Sequence, residues 1–233
     1  MIQIHNWWLP DNEIHLKEKI EEQSVINRGF DYQTQQRDYA ILLNKKFVRR
    51  NRFAVEVGGH VGLWAVDICK NFSRVEIFEP VEEFRKCLHK NLKDRNIDNY
   101  RIQPFALGSK EHQTFIDIDP ISTGDTHINE NSKTVIDVKK LDNFNYDHVD
   151  FIKIDTEGYE YNVLKGAEQT LKKHKPIIVV EIKDKHLERF NSSSKEIHKF
   201  LKGLNYTLDN VVNSEYIYIH NNLEPRDYFK SNI

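Results

Sequence analysis

The chain has 233 residues, 39% of them hydrophobic and 30% charged, with a formal net charge of −2 at pH 7. That length and apolar content fill one sizeable core with an appendage, and the near-neutral charge excludes nucleic-acid binding by bulk electrostatics. The only cysteines are Cys69 and Cys87, with no Cys-x-x-Cys, and neither an apolar leader nor a run of membrane-spanning length occurs, so a reduced, cytoplasmic protein without a membrane partner is expected.

Residues 1–52 read as an N-terminal helical arm or lid ahead of a main domain at 53–233. Pro10-Asp11 opens a charged helix to about Glu22. Asp31 or Thr34 caps a second, on which Tyr39, Leu42, Leu43 and Phe47 recur at helical spacing as a core-facing stripe. Trp7, Trp8, Phe30 and Tyr32 either line a substrate pocket or anchor the arm. Anchoring is favoured, because aromatics bury large areas wherever they pack. Lys45, Lys46, Arg49, Arg50 and Arg52 read as a solvated helix end whose cations suit the dipole.

Residues 53–62, Phe-Ala-Val-Glu-Val-Gly-Gly-His-Val-Gly, form a buried strand, a tight turn and the entry to a helix. Gly58 and Gly59 let the backbone turn sharply and approach a ligand with no side chain between, and Gly62 lets the helix pack closely on the strand. Glu56 stands at the carboxyl end of the strand, where open α/β sheets bind ligands. Its carboxylate suits a cationic ligand better than a pyrophosphate. The dinucleotide fingerprint is broken because Val57 stands where its first glycine belongs, and no P-loop occurs. What stands is Glu-x-Gly-x-x-x-Gly, the form seen in class I methyltransferases that use S-adenosylmethionine.

A helix over 63–72 and a strand ending Phe78-Glu79-Pro80 follow. Glu79 lies 17 residues past Gly62, near the separation at which a doubly wound domain sets a carboxylate on a ribose; the alternative is a surface residue at a strand end. After a helix over 84–92, residues 100–105 read as a third strand running into Ala106-Leu107-Gly108, where small Ala106 beside Phe105 leaves room for a flat adenine ring. Short strands at 114–118 and 134–138 flank a polar loop at 122–127, either a substrate contact or a plain hairpin connection.

Phe151-Ile152-Lys153-Ile154-Asp155-Thr156-Glu157-Gly158 delivers Asp155 and Glu157 to the carboxyl edge of the sheet. A helix with Tyr159, Val163, Leu164, Ala167 and Leu171 inward comes next, then a fifth strand at 177–181 ending in Glu181, a helix over 193–201, and final strands at 206–208 and 216–219. The alternation implies one α/β, doubly wound, mostly parallel seven-stranded sheet of Rossmann-like type.

Read in order, Glu56-Val57-Gly58-Gly59-His60-Val61-Gly62, Phe78-Glu79-Pro80, Ala106-Leu107-Gly108, Leu141-Asp142 and Ile152-Lys153-Ile154-Asp155-Thr156-Glu157-Gly158-Tyr159-Glu160 make residues 53–183 resemble the FkbM family of methyltransferases. The resemblance implies a class I methyltransferase fold, S-adenosylmethionine as methyl donor with S-adenosylhomocysteine as product, and a hydroxyl acceptor on a small molecule or glycan sugar. It also implies a cofactor site of Glu56, Gly58, Gly59, Gly62, Glu79, Pro80, Phe105 and Ala106. The chain departs from the family pattern at Glu56, where Asp is usual, and at Gly59-His60, where Ala-Asn is usual. His60 either positions substrate or methionine, or packs.

Deprotonating an alcohol needs a base. Asp155 and Glu157 rank first, ahead of Glu181, His60 and His127, while Glu157 has an equal alternative as the cap of the next helix. Asp155, Glu181, Asp184 and His186 make Mg²⁺ coordination conceivable without fixing a third ligand, so a metal is not favoured. The alternative to an enzyme is an idle S-adenosylmethionine- or nucleotide-binding module. A dehydrogenase is weaker still.

Overall fold

Side chains alternate along each strand, and the alternation sorts this chain's apolar residues onto two sides of one central sheet. In the computed structural model, which describes residues 1–27, 30, 32–47 and 51–225, a hairpin of β1 (Ile2–Ile4) and β2 (Trp7–Leu9) precedes α1 (His15–Asn27) and α2 (Thr34–Phe47). There follow β3 (Phe53–Val57), α3 (Ala65–Asn71), β4 (Arg74–Phe78), α4 (Glu82–Lys93) and β5 (Tyr100–Gln103). A short-stranded region holds β6 (Ala106–Leu107), β7 (His112–Asp117), β8 (His127–Ile128) and β9 (Thr134–Lys139). The chain then returns through β10 (Phe151–Ile154), α5 (Glu160–Gly166), α6 (Glu168–His174), β11 (Ile177–Glu181), α7 (Asp184–Leu187), α8 (Ser194–Gly203), β12 (Tyr206–Val212) and β13 (Glu215–His220).

The central sheet has the order β12-β13-β11-β10-β3-β4-β5. Ala54, Val75, Ile77, Phe151 and Val179 join one hydrophobic cluster with residues of α2, α3 and α4. Val55, Val57, Phe78, Ile152, Ile154 and Val180 join a second with residues of α5, α6 and α8. Strand order reverses between β3 and β10, which creates the crevice at the carboxyl edge where ligands of such sheets bind.

Several expectations are corrected. The seven-stranded sheet is mixed: four of its pairings are parallel, and β13 runs antiparallel to both β11 and β12, because a tight turn with Asn213 at φ 56° folds β12 straight back on β13. The third strand stops at Gln103 because Pro104 has no N–H to extend the ladder. Ala106 and Leu107 therefore pair with β9 in a separate four-stranded sheet, β6-β9-β7-β8. The helix after Gly158 is two short helices. Gly166 packs so tightly that a Cβ there would lie 1.9 Å from the Gly108 carbonyl oxygen, and Asp142 starts the second helix by accepting the N–H groups of Gln169 and Thr170.

In the arm, the first helix begins at His15 instead of Asp11, because the Glu13 carboxylate accepts the N–H of Leu16 at 2.6 Å and so caps it. The Trp7-Trp8 hairpin anchors the arm. Asn91 of α4 exchanges two hydrogen bonds with the Trp8 backbone and donates to the Val61 carbonyl at 2.8 Å, tying the hairpin to the glycine turn. Arg95 lies 4.0 Å over the Trp7 ring. Asp31, Arg49 and Arg50 lie outside the described residues. Among the described residues no helix is long and apolar enough to cross a membrane, and Cys69 and Cys87 are both buried and free.

Candidate active site

At the carboxyl edge the strand ends open into a cavity of about 560 Å³, within the range of small-molecule sites. Its lining follows the sheet order. Ala106 and Leu107 come from beyond β5, Glu79 and Pro80 from β4, and Glu56, Gly58, Gly59 and His60 from β3. Asp155 and Glu157 follow from β10, Glu181 and Lys183 from β11, and Ser214 and Glu215 from the start of β13. At a strand spacing of about 4.8 Å, β4 to β13 covers roughly 19 Å. The edge is therefore long enough for two ligands side by side.

The glycine turn is a bare stretch of backbone. Gly58 has φ +85°, and a Cβ on it would lie 1.8 Å from the Asp155 carbonyl oxygen; on Gly59 it would lie 2.3 Å from the Ile77 side chain. Only glycine fits at either position. Gly62, at φ +94°, faces Leu88 of α4 and serves helix packing. It does not line the cavity, nor does Phe105, whose ring lies under the Lys139 ammonium at 5.7 Å. The remaining predicted cofactor and base residues, Glu56, Gly58, Gly59, His60, Glu79, Pro80, Ala106, Asp155 and Glu157, all line it.

Two buried carboxylates flank the turn. Glu79 accepts the N–H of His60 at 2.8 Å and of Val81 at 2.9 Å, one on each oxygen, so it holds the turn in shape. Burial pushes its pKa up to about 7 against those bonds. Glu56 is 2% exposed, its Oε2 has no partner, and burial pushes it up to about 8 despite the neighbouring Lys153.

His60 joins the turn to a roof formed by α1 and the loop at 122–126. Its Nε2 lies 2.7 Å from Thr123 Oγ1, and the Thr123 hydroxyl donates to Glu13 Oε2. One hydroxyl carries one proton, so His60 Nε2–H is the donor to Thr123. Burial drives His60 down to about 4, so it is neutral at physiological pH and holds the roof to the turn. The backbone N–H of Thr123 also donates to Glu13, and those of Ile14 and His15 to the Ile121 carbonyl. Thr123→Val is expected to leave Glu13 and His60 without this partner and to cost about 1–3 kcal/mol in urea unfolding. Faster hydrogen exchange at Leu16 would locate the loss; unchanged exchange there would contradict the roof assignment.

The far end of the cavity is crowded with charge. Lys153, only 1% exposed, donates to Asp155 Oδ2 at 3.1 Å and to Glu215 Oε1 at 2.9 Å. Burial favours the neutral acid at Asp155, but Lys153 outweighs it and holds the carboxyl below its usual range. Lys183 pairs with Glu181 at 2.9 Å, yet burial together with the Asp155 charge pushes Glu181 up to about 9 and Glu157 up to about 8. Glu157 sits at φ 52°, strained for a non-glycine residue, with Oε2 2.6 Å from His186 Nδ1. It does not cap the following helix. That helix has no side-chain cap; Glu160, its first residue, instead holds the preceding loop in shape by accepting the N–H groups of Thr156 and Gly158.

Potential metal-binding oxygens and nitrogens do converge, in Asp155-Glu181-Glu215 and in Glu157-Glu181-His186, each set within 4.8 Å. Lys153 and Lys183 already supply cations to the first set. The polar loop at 122–127 does line the cavity, Thr123 included, while Lys183, Glu215 and Glu13 escape a reading of the sequence. The available signal was Lys153 itself, a charge inside an apolar strand that demands a buried acidic partner.

A family described as the methyltransferase FkbM domain matches residues 56–208. Among solved structures, an FkbM methyltransferase from Methylobacillus flagellatus aligns over 80% of this chain and 51% of its own, at 18% identity and a TM-score of 0.52. The chain thus spans about half the length of that protein. A precorrin 8w decarboxylase from Methanobacterium thermoautotrophicum aligns over 94% of this chain and 99% of its own, at 14% identity and a TM-score of 0.52. A Streptococcus mutans protein described as a methyltransferase, solved in complex with SAH, aligns over 79% and 93%, at 11% identity and a TM-score of 0.50. At these identities the likeness is one of fold. No curated protein matches the chain.

Proposed function

The chain belongs to the FkbM methyltransferase family, and from that premise we propose that it moves the methyl group of S-adenosylmethionine to a hydroxyl of a small molecule or a glycan sugar. The observation that carries the cofactor assignment is the bare Gly58-Gly59 backbone between two buried carboxylates, one with an unpartnered oxygen. Glu56 receives the ammonium of the methionine portion, Glu79 the ribose hydroxyls on its remaining lone pairs, and Ala106 the edge of adenine. Phe84, Ile116 and Ile128 supply an apolar wall there. The formal charge of −2 and the two buried free thiols accord with a cytoplasmic enzyme that does not act on nucleic acid.

Bound S-adenosylmethionine supplies an electrophilic methyl on sulfur; the carbon–sulfur bond breaks as the carbon–oxygen bond forms, and sulfur keeps the bonding pair. The protein contributes position above all, since holding the reactants in near-attack geometry accounts for several kcal/mol of such a barrier. Of the two bases, Glu157 suits the hydroxyl proton better. Asp155 is committed to Lys153 and is too acidic, whereas a carboxylate near 8 is matched to proton transfer at neutral pH.

Calorimetric titration with S-adenosylhomocysteine tests the reading, with NADH as control. Saturable binding of the first alone is expected, and binding of neither would refute the cofactor site. Glu79→Ala removes a carboxylate that holds the turn and the ribose, so a loss of about 10- to 100-fold in affinity is expected from charged hydrogen bonds of about 1.5–3 kcal/mol. Wild-type affinity in this variant would remove Glu79 from the site.

A further inference from the structure

The acids of the cavity outnumber its cations. Seven carboxyl groups line it against two lysines, Lys19 and Lys183, with Lys153 a third cation behind the wall, and burial favours the protonated form of Glu56, Glu157 and Glu181 near pH 7. S-adenosylmethionine carries a sulfonium, an ammonium and a carboxylate, a net charge of one. Past the glycine turn, Glu181 is paired with Lys183, whereas Asp155 and Glu215 share the one cation of Lys153.

Glu215 is the informative residue there. It stands directly across from Glu181 in the β11–β13 register, a like-charge pairing that destabilises a sheet unless something positive lies beside it. Lys153 satisfies Glu215 Oε1. Its Oε2 is buried without any partner, on a side chain that is 1% exposed and lines the cavity. A buried carboxylate oxygen left unpaired is costly, and a cationic ligand relieves it.

We propose that the methyl acceptor carries a positive charge, a protonated amine near the reacting hydroxyl as in an amino sugar or amino alcohol, seated against Glu215 and Glu181. This rests on the methyltransferase reading and adds the acceptor's chemical class. A divalent ion fits less well, because Lys153 already contacts both Asp155 and Glu215 and Lys183 contacts Glu181. Acceptors bearing a phosphate or carboxylate meet repulsion from the same wall.

The test uses the full chain saturated with S-adenosylhomocysteine, titrated with three sugars of one skeleton: glucosamine, glucose and glucuronate. Failure of S-adenosylhomocysteine to bind would count against the methyltransferase reading and is recorded separately. With the cofactor bound, glucosamine is expected to bind at least ~10-fold more tightly than glucose, about 1.4 kcal/mol, with glucuronate weaker than both. Glu181→Gln and Glu215→Gln should each shrink that preference, and since the comparison is also made in the unaltered protein, a variant that fails to fold does not remove the test. Glucosamine no better than glucose, including binding by neither, overturns the proposal. So does saturable Mg²⁺ binding that displaces the amine.

Discussion

Replacing Lys153 by methionine is expected to cost the ligand-free protein about 3–5 kcal/mol at pH 7, the usual penalty for leaving a buried charge without its partner. Methionine matches the length of the lysine stem and its packing near the Trp64 ring, 4.9 Å from Nζ, so the loss reports charge and not volume. Asp155 and Glu215 would face each other across the site with no cation between them. Because both can take up protons, the deficit should shrink at pH 5. Urea unfolding of the variant at the two pH values measures this. Since the penalty approaches the total stability of many domains, a Lys153→Met, Glu215→Gln protein provides a second measurement, with part of the loss restored. A pH-independent deficit, or no restoration, would show that Lys153 acts through packing.

The second large effect is a fall in stability with rising pH that the methyl donor reverses. Burial holds Glu56 and Glu157 up to about 8, Glu181 up to about 9, and Glu79 and Glu215 up to about 7, against 4.5 for a free glutamate. Between pH 4.5 and 9 the folded chain therefore binds more protons than the unfolded one, and stability must decline as pH climbs through that window. Asp155 works in the opposite sense only below its usual range, outside the window, and His60, held down to about 4 by burial, opposes the trend only up to its ordinary 6.5, so the decline is steepest above that. At 1.36 kcal/mol per pKa unit, discounted for groups that share protons, the decline from pH 6 to 9 is about 2–4 kcal/mol. S-adenosylmethionine brings positive charge to these carboxylates, so its binding should release about one proton near pH 7. S-adenosylhomocysteine, without the sulfonium, should release less. Calorimetry in two buffers of different ionisation enthalpy reads the difference, and equal release by the two ligands would contradict the placement of the sulfonium beside these acids.

Both effects concern residues that the sequence displays unevenly. Lys153 and Asp155 are visible as Ile-Lys-Ile-Asp, two charges two residues apart on a strand and so on one face. Glu215 carries no such signal. It belongs to the site only because β13 runs backwards and brings its first residue to the edge where the other strands end, and a short Tyr-Ile-Tyr-Ile run says nothing about strand direction. Glu13 is equally silent in one dimension, since its bond to Thr123 closes a loop of more than a hundred residues, and Thr123 shows only as one member of a polar loop whose partner is hidden. Phe105 shows the opposite failure. Its place beside Ala106 suggested an adenine wall, but Pro104 takes the chain out of the sheet and turns that ring elsewhere.

The sequence by itself determined the local chemistry: a strand that breaks into glycines, acids at the ends of successive strands, and the periodicities that bury one face of each helix. These depend on neighbours a few residues apart, where spacing and side-chain type suffice. The tertiary structure alone decided which acids share one cavity, which lysine neutralises which carboxylate, and how far each pKa moves. Those follow from strand order, direction and burial, and electrostatic energy inside a protein depends on distance and solvent exclusion that only the folded chain sets.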